Sequence, residues 1–305
     1  MSVILPARNE VESLPAVVAE VMECLERTSL KFELVIVDDG STDGTRSVAA
    51  RLSQDIESVR AIRLRRNVGK SGALQVGLRE AVGDRIVLMD ADGQDDPAAI
   101  PALLAALDGG LDLVTGRRTE RQDRLVKRGT SRLYNAMTAR VTGVHGRDFN
   151  SGLKAMTSDV AGSLDLYGEL HRYIPVLASW SGFRVGEIDV HHRPRLHGES
   201  KFRKARFWRG FFDLVTVKFL TTYTSRPFHL FGGVGFSLSA IGTGILGWLL
   251  YTKISGHGIS DRPALFAGAL LVLVGVQLLS VGLLAELLVH FRNTARNPSR
   301  LAEDL

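Results

Sequence analysis

The sequence predicts an α/β fold with a mostly parallel sheet, followed by a membrane-associated C-terminal part. Short runs rich in Val, Ile and Leu alternate with helical patterns through residues 1 to about 200. Two uncharged stretches follow, at 230–251 and 264–285. At a rise of about 1.5 Å per residue, each reaches roughly 33 Å, which is enough to cross a hydrocarbon core of about 30 Å.

The elements of the first part follow from their apolar spacing. Strands are predicted at Ser2–Leu5, Glu33–Val37, Val59–Leu64, Arg85–Met89 and Leu111–Thr115. Helices are predicted at Glu10–Arg27, Asp43–Ser53, Ser71–Val82 and Pro97–Leu107. This alternation is typical of a sheet with helices on both faces, in which ligands bind beyond the carboxyl ends of the strands. Polar motifs follow all five strands: PARNE, DDGSTDGT, RRNVGKSGA, DADGQDD and GRR.

The fourth strand end carries four carboxylates, at Asp90, Asp92, Asp95 and Asp96. Like charges this close repel one another unless a positive group lies among them. Hard divalent ions such as Mg²⁺ or Mn²⁺ take carboxylate oxygens, and Gln94 adds a neutral oxygen. A D-x-D pattern alone is a weak signal, because helix capping explains such residues equally well. We expect Asp95 and Asp96 to start the helix at Pro97.

The other strand ends allow two interpretations each. Asp38 and Asp39 either accept hydrogen bonds from a base or ribose, or form an Asx turn into the next helix. The GKS at 69–71 resembles a P-loop end, but Leu64 stands where that pattern requires glycine, and no GxGxxG follows the first strand. Lys70 remains a candidate for a nucleotide contact. Arg117 and Arg118 form either a phosphate contact or a surface pair.

Basic residues lie between this part and the apolar stretches. RLVKRGTSR at 124–132 and RPRLHGESKF at 193–202 are strongly basic, and residues 203–227 mix Arg and Lys with Phe, Trp and Leu. That mixture is typical of amphipathic helices on a membrane surface. A basic loop between a nucleotide site and a membrane indicates an anionic lipid substrate. His171, His191 and His192 are assigned to packing or backbone partners.

The chain is therefore predicted to contain three parts. These are a catalytic domain at 1–202, an interfacial segment at 203–227 and a membrane hairpin at 228–305, with spans at about 229–252 and 264–290. Buried helices of a soluble bundle are the alternative, but soluble helices of this length carry a charged face. Arg and Lys flank both outer ends of the hairpin, so the positive-inside rule predicts that both termini are cytoplasmic. The N-terminus lacks the pattern of a signal peptide.

Composition and the distribution of charge bear on the class of partner and on disulfide and zinc sites. The net charge of +5 is compatible with nucleic acid, anionic lipid or phosphorylated small molecules as partners. The basic residues cluster beside the predicted membrane segment without an RNA-binding aromatic pattern, which disfavours nucleic acid. Cys24 is the only cysteine, so an intrachain disulfide is excluded and a structural zinc site is disfavoured.

Taken together, the motifs resemble family-2 glycosyltransferases of GT-A fold, and most closely the branch that acts on polyprenyl (dolichyl) phosphates. The matching stretches are ILPARNE, IVDDGSTDGT, RNVGKSGAL, MDADGQDDP, VTGRR, DFNSGLKAM, GELHRYIP and HGESKF. They occur in the family's order across about 200 residues. One departure is Gly93, where members usually carry a larger residue, and we expect it to loosen the loop.

The resemblance implies roles for particular residues. Asp90, Asp92 and Gln94 would hold Mg²⁺ or Mn²⁺ against the donor diphosphate, with Asp90, Asp92 and Arg117 as the catalytic set. The donor site would comprise Pro6, Arg8, Glu10, Asp38, Asp39, Lys70 and Asp90. The acceptor phosphate would meet Arg117, Arg128, Arg132, Ser151 and Lys201. Asp148 is expected to order the DFNSG turn rather than act as a base.

The implied reaction is inverting transfer of a sugar from a UDP- or GDP-sugar to undecaprenyl or dolichyl phosphate at the cytoplasmic membrane. A polysaccharide synthase is disfavoured, because no glutamine begins a Q-x-x-R-W motif. A membrane glycosyltransferase with another acceptor, and a non-catalytic nucleotide-sugar sensor, remain alternatives. The sequence leaves the sugar, the nucleotide, the polyprenyl length and a homo-oligomeric state open.

Overall fold

The computed structural model describes residues 1–28, 30–118, 148, 151–193, 227–256 and 263–295. Contacts divide the chain into two compact units, Met1–Val217 and Lys218–Leu305. Nearly all of the predicted interfacial segment at 203–227 lies outside the described residues. The three-part division at 202 and 227 therefore stays a prediction.

The first unit is built on a seven-stranded sheet. Its strands are β1 (Ser2–Ala7), β2 (Glu33–Asp38), β3 (Val59–Arg63), β4 (Arg85–Leu88), β5 (Leu113–Arg118), β6 (Lys154–Thr157) and β7 (Val185–Val190). The order across the sheet is β3-β2-β1-β4-β6-β5-β7. All pairs are parallel except those of β6, which runs antiparallel to both β4 and β5. The predicted mixed, mostly parallel sheet is confirmed.

Six described helices belong to this unit. They are α1 (Leu14–Glu26), α2 (Thr45–Asp55), α3 (Lys70–Glu80), α4 (Ile100–Asp108), α5 (Ser158–Ser163) and α6 (Ile174–Trp180). Helix α1 begins four residues later than predicted. The Glu10 amide donates to Thr45 Oγ1 at 2.8 Å, which joins residue 10 to the start of α2 instead. A short 3₁₀ helix at Pro97–Ala99 precedes α4.

Apolar residues of the sheet form the core. Val3, Ile4 and Leu5 of β1 are fully buried, which requires cover on both faces of the sheet. Because β6 is antiparallel to β4, its first residue Lys154 lies opposite Leu88, the last residue of β4. The chain entering β6 therefore reaches the same edge as the carboxyl ends of the parallel strands.

The second unit is an antiparallel pair of long helices, α7 (Pro227–Ile254) and α8 (Pro263–Ala295). Glycines allow their backbones to approach closely, at Gly235 against Gly275 and at Gly242 against Gly268. Both helices are long and apolar enough to cross a membrane, over Pro227–Ile254 and Pro263–Val289. These ranges contain or closely match the two predicted spans.

Candidate active site

Asp90 forms an ion pair with Lys70 at the carboxyl edge of the sheet. Asp90 follows β4, and Lys70 is the first residue of α3. The Lys70 Nζ lies 2.5 Å from Asp90 Oδ1. Burial raises the pKa of Asp90, but the charge and hydrogen bond of Lys70 outweigh burial and hold that pKa below its ordinary value. Asp90 is therefore a carboxylate at neutral pH.

The loop after Asp90 is a tight turn. Asp92 Oδ1 accepts the Gln94 amide at 3.2 Å, and Gly93 between them has φ +73°. Glycine adopts this left-handed conformation without strain, so Gly93 fits the turn that holds Asp92. Gln94 pairs with the segment after β7, because its carbonyl accepts the Arg193 amide at 2.9 Å. Within the described residues, no cluster of three or more His, Cys, Asp or Glu is placed to hold a metal.

Asp95 and Asp96 have different functions in this loop. Asp96 caps the 3₁₀ helix by accepting the Ala98 amide at 3.1 Å, as predicted. The prediction for Asp95 is wrong. Asp95 is 4% exposed, and its Oδ2 accepts the Asp90 amide at 3.2 Å. Asp95 therefore stabilises the backbone of Asp90 by a hydrogen bond from inside the loop.

The backbone of Gly152 lies directly against the carboxylates of Asp90 and Asp95. A Cβ atom at residue 152 would lie 2.7 Å from Asp90 Cγ, Asp90 Oδ2 and Asp95 Oδ2. Only glycine allows the backbone to approach this closely. The sequence placed Gly152 in the DFNSG motif but did not predict this contact, because it depends on the antiparallel pairing of β6.

Buried cations balance the acidic residues. Lys154 is 3% exposed and donates to the Ser151 carbonyl. Burial, together with the charge of Lys70, lowers the pKa of Lys154 to about 8. Ser151 itself is 2% exposed. Sequence reasoning missed Lys154, whose only signal was a lysine followed by two apolar residues in the DFNSGLKAM motif.

The Asp148 carboxylate is held by Arg118. Arg118 Nε lies 2.7 Å from Asp148 Oδ2, and Arg118 Nη2 lies 2.8 Å from Oδ1. The Asp148 amide donates to Glu187 Oε1 at 3.1 Å, which joins residue 148 to β7. This two-point pairing supports the expected ordering role, since the carboxylate already neutralises a guanidinium.

On the β1–β2 side, Asp38 carries a buried oxygen that has no hydrogen-bond partner among the described residues. Asp38 Oδ1 accepts the Ser41 amide at 3.0 Å, whereas Oδ2 has no partner among the described residues. Asp39 is used structurally, accepting the Val68 and Gly69 amides at 2.7 and 3.0 Å. Asp38 thus makes the turn-type bond expected at this strand end, Asp39 instead holds the segment before α3, and the contact to a base or ribose stays a prediction.

The remaining candidates are placed as follows. Glu10 Oε2 accepts Ser13 Oγ at 2.8 Å, Pro6 is half-buried on β1, and Arg8 is exposed just beyond it. Arg117 pairs with Asp189 across the β5–β7 register, with Nη2 to Oδ2 at 2.6 Å. Arg128, Arg132 and Lys201 lie outside the described residues, so their assignments stay predictions.

His171 is a packing histidine with a specific partner. Its Nδ1 lies 2.9 Å from Ser71 Oγ, and its amide donates to the same oxygen at 3.0 Å. Burial and the nearby charges of Lys70 and Arg172 lower the pKa of His171 to about 2, so the ring is neutral. This contact fastens the GELHRYIP segment to the first turn of α3.

An open α/β sheet with charged side chains at the carboxyl ends of its strands belongs to the class of folds that bind ligands at that edge. The profile of Glycosyl transferase family 2 matches residues 2–165, more than half of the chain. The chain belongs to this family and is a glycosyltransferase.

Curated relatives match almost the whole chain. The dodecaprenyl-phosphate galacturonate synthase of Rhizobium johnstonii is 36% identical over 303 residues, covering 97% of this chain and 90% of that protein. The undecaprenyl-phosphate 4-deoxy-4-formamido-L-arabinose transferase of Salmonella choleraesuis is 34% identical over 301 residues, with the same coverage.

Solved structures share the fold. Glucosyl-3-phosphoglycerate synthase from Mycobacterium tuberculosis, in complex with Mn²⁺ and UDP-glucose, has a TM-score of 0.55 at 21% identity, covering 72% of this chain and 78% of that one. Mannosyl-3-phosphoglycerate synthase from Rubrobacter xylanophilus also has a TM-score of 0.55, at 20% identity over 71% of this chain and 72% of that one. The first unit thus has the GT-A fold.

Proposed function

We propose that this glycosyltransferase moves a sugar from a UDP- or GDP-sugar to undecaprenyl or dolichyl phosphate, with inversion and with a divalent cation. The observation that carries the proposal is the ionised Asp90 beside Lys70 at the sheet edge, with Asp92 two residues on. Both curated relatives are named for transfer to polyprenyl phosphates. The two long apolar helices support a lipid acceptor.

The side-chain oxygens at this edge of the sheet fit Mg²⁺ or Mn²⁺ as metal ligands. Two carboxylates, Asp90 and Asp92, with Gln94 as a neutral ligand, provide the hard oxygens that these ions take, and substrate phosphates commonly complete their coordination. A structural neighbour of the first unit binds Mn²⁺ together with UDP-glucose. When bound, the ion offsets negative charge on the leaving diphosphate.

The chain's own residues position and stabilise the reactants. Lys70 supplies a positive charge beside Asp90, and the free oxygen of Asp38 can accept a hydrogen bond from the nucleoside. In the proposed reaction, an acceptor phosphate oxygen forms a bond to the anomeric carbon while the bond to the nucleoside diphosphate breaks. A phosphate dianion is already a nucleophile, so no side chain must remove a proton. The pairing of Asp148 with Arg118 agrees with this.

The acceptor phosphate is proposed to bind Arg117, Arg128, Arg132, Ser151 and Lys201. In the structure, the Arg117 guanidinium pairs with Asp189, so Arg117 would have to leave Asp189 in order to bind the phosphate. Transfer would occur at the cytoplasmic leaflet of the inner membrane, with two spans and both termini cytoplasmic.

The test uses the full chain in detergent with undecaprenyl phosphate, Mn²⁺ or Mg²⁺, and a panel of UDP- and GDP-sugars that includes a uronic acid and an aminosugar. We expect one donor to give a lipid-linked sugar only when the ion is present. Asp90→Asn should lower turnover about a thousandfold with the fold retained, since it removes an anionic ligand of the divalent cation that would offset the diphosphate charge.

Asp108→Asn is the matched control. Asp108 pairs with Arg85 at a side-chain exposure of 53%, so its loss should leave transfer unchanged. The proposal fails if no donor gives ion-dependent product. Product formed only with a different lipid or a glycan would support the alternative of another acceptor.

A further inference from the structure

The Lys70–Asp90 pair occupies an oxygen that the proposed divalent cation would also need. Lys70 Nζ lies 2.5 Å from Asp90 Oδ1, within the distance of a charge-assisted hydrogen bond. The two side chains are 34% and 31% exposed. Their contact is therefore open to solvent and to competition from soluble ions.

The geometry of Asp90 makes Oδ1 the accessible oxygen. Its other oxygen, Oδ2, faces the backbone of Gly152, where even a Cβ atom would lie within 2.7 Å. The Asp90 amide donates to Asp95 Oδ2 at 3.2 Å, which fixes the backbone from which the carboxylate projects. An ammonium and a divalent cation thus compete for one face of one carboxylate.

Lys70 can leave Asp90 without moving the backbone. Its ammonium is a point charge on a flexible four-carbon stem, whereas the residues around its base are fixed. Asp39 binds the Gly69 amide at 3.0 Å, and Ser71 is fully buried against His171. The side chain can therefore change partner while α3 stays in place.

We propose that Lys70 and the divalent cation are alternative partners of Asp90 Oδ1, and that a nucleoside diphosphate couples their exchange. The diphosphate draws the Lys70 ammonium away from Asp90 and thereby opens Oδ1 to the cation. Cation and nucleotide then bind with positive cooperativity, which is reciprocal by linkage. This inference rests on the proposed function, because it assumes a nucleoside diphosphate at this edge.

The experiment measures Mn²⁺ binding by the full chain in detergent, using the electron paramagnetic resonance signal of free Mn²⁺. Wild type, Lys70→Gln and Lys70→Arg are titrated alone and with UDP or GDP. Without nucleotide, Lys70→Gln should bind Mn²⁺ about fivefold more tightly than wild type, the upper range for loss of a partly exposed ion pair. Lys70→Arg should resemble wild type.

With the preferred nucleotide, the difference in Mn²⁺ affinity between wild type and Lys70→Gln should narrow. Wild type should gain more Mn²⁺ affinity than Lys70→Gln, because only wild type has a competing ammonium for the diphosphate to remove. Arg63→Gln controls for a general change in charge. Arg63 ends β3, three strands away from β4, and its loss should leave Mn²⁺ affinity within twofold of wild type.

Unchanged or weaker Mn²⁺ binding by Lys70→Gln without nucleotide would overturn the inference, provided that its thermal midpoint matches wild type. An equal gain from nucleotide in both proteins would overturn the coupling. If Arg63→Gln raised the Mn²⁺ affinity as much as Lys70→Gln, the increase would be an effect of net charge alone. Because no sugar transfer is measured, these results are distinct from a failure to detect product, which tests the proposed function.

Discussion

At the scale of single residues, Gly152 determines where the Asp90 carboxylate lies. Gly152→Ala should lower transfer about a hundredfold, because its Cβ must displace Asp90 or Asp95 from a site that tolerates little movement. We expect a loss of about 1–3 kcal/mol in stability from overpacking. Initial rates and thermal midpoints in detergent measure the two effects.

Gly162→Ala is the control for this prediction. Gly162 is exposed in α5, and an added Cβ would meet nothing within 4 Å. The substitution should raise stability by about 0.5–1 kcal/mol through helix propensity and leave transfer unchanged. Equal effects of the two substitutions would contradict the importance of the Gly152 contact.

His171 makes the stability of the first unit sensitive to acid. Its pKa is lowered to about 2 in the folded chain by burial and by Lys70, compared with 6.5 for a free histidine. The unfolded chain therefore binds a proton below about pH 6.5 that the folded chain does not bind. The contribution of His171 to the free energy of unfolding is fully present above about pH 6.5. Below that pH it falls as the pH decreases, by up to about 1.4 kcal/mol per pH unit.

His171→Gln should make that decline shallower. The thermal midpoint of the full chain in detergent, measured from pH 7.5 to 4.5, reports the difference between variant and wild type. The exposed His191→Gln serves as the matched control and should retain the wild-type slope. Parallel curves for wild type and His171→Gln would show that His171 is not the group responsible.

Sequence alone identified residues whose chemistry is local. Asp90 and Asp92 were predicted because carboxylates at a strand end already define a possible ion site. Gly152 and Lys154 were not, because their effect on Asp90 arises from pairing between β4 and β6, which are over 60 residues apart. The role of Asp95 was misassigned for a related reason, since its partners are a backbone amide and the segment around His192.

At the scale of elements, strands β1 to β5 were predicted from the sequence, whereas β6 and β7 were not. Strands β1, β2 and β4 are apolar runs that end in polar motifs, which is the usual pattern of a buried parallel sheet. Strand β3 lies at the edge of the sheet and carries two arginines. Strand β6 has only four residues, and β7 is an edge strand carrying Glu187 and Asp189. Neither presents enough apolar sequence to be distinguished from a loop.

Close glycine contacts hold the two long helices of the second unit together. A Cβ at Gly275 would lie 2.6 Å from the Gly235 carbonyl. Gly275→Leu should therefore separate α7 from α8 and lower stability by about 1–3 kcal/mol. Gly244→Leu is the control, because Gly244 is exposed on α7 with nothing within 4 Å.

The comparison requires both variants in the same detergent. Thermal midpoints and the amount recovered from membranes should fall for Gly275→Leu and remain at wild-type values for Gly244→Leu. Similar losses in both would mean that leucine disturbs α7 and α8 through lipid or detergent contacts rather than through their shared interface.

At the scale of the whole molecule, charge predicts how the chain lies in the membrane. Seven Lys and Arg residues lie between 201 and 226, and Arg292, Arg296 and Arg300 lie at the other outer end of the hairpin. At the other end of the hairpin, the only Lys and Arg residues are Lys253 at the end of α7 and Arg262 in the connection at 255–262. The positive-inside rule therefore predicts that this connection faces the periplasm and that both termini face the cytoplasm.

Cysteine labelling tests this orientation. In a Cys24→Ala background, Ser255→Cys places a thiol just beyond α7, and Gln54→Cys places one on the exposed surface of α2. A membrane-impermeant maleimide added to intact spheroplasts should label Ser255→Cys and should label Gln54→Cys only after lysis. Labelling of Gln54→Cys in intact spheroplasts would place the catalytic unit outside. It would also exclude transfer from a cytoplasmic nucleotide-sugar, because that donor does not cross the membrane.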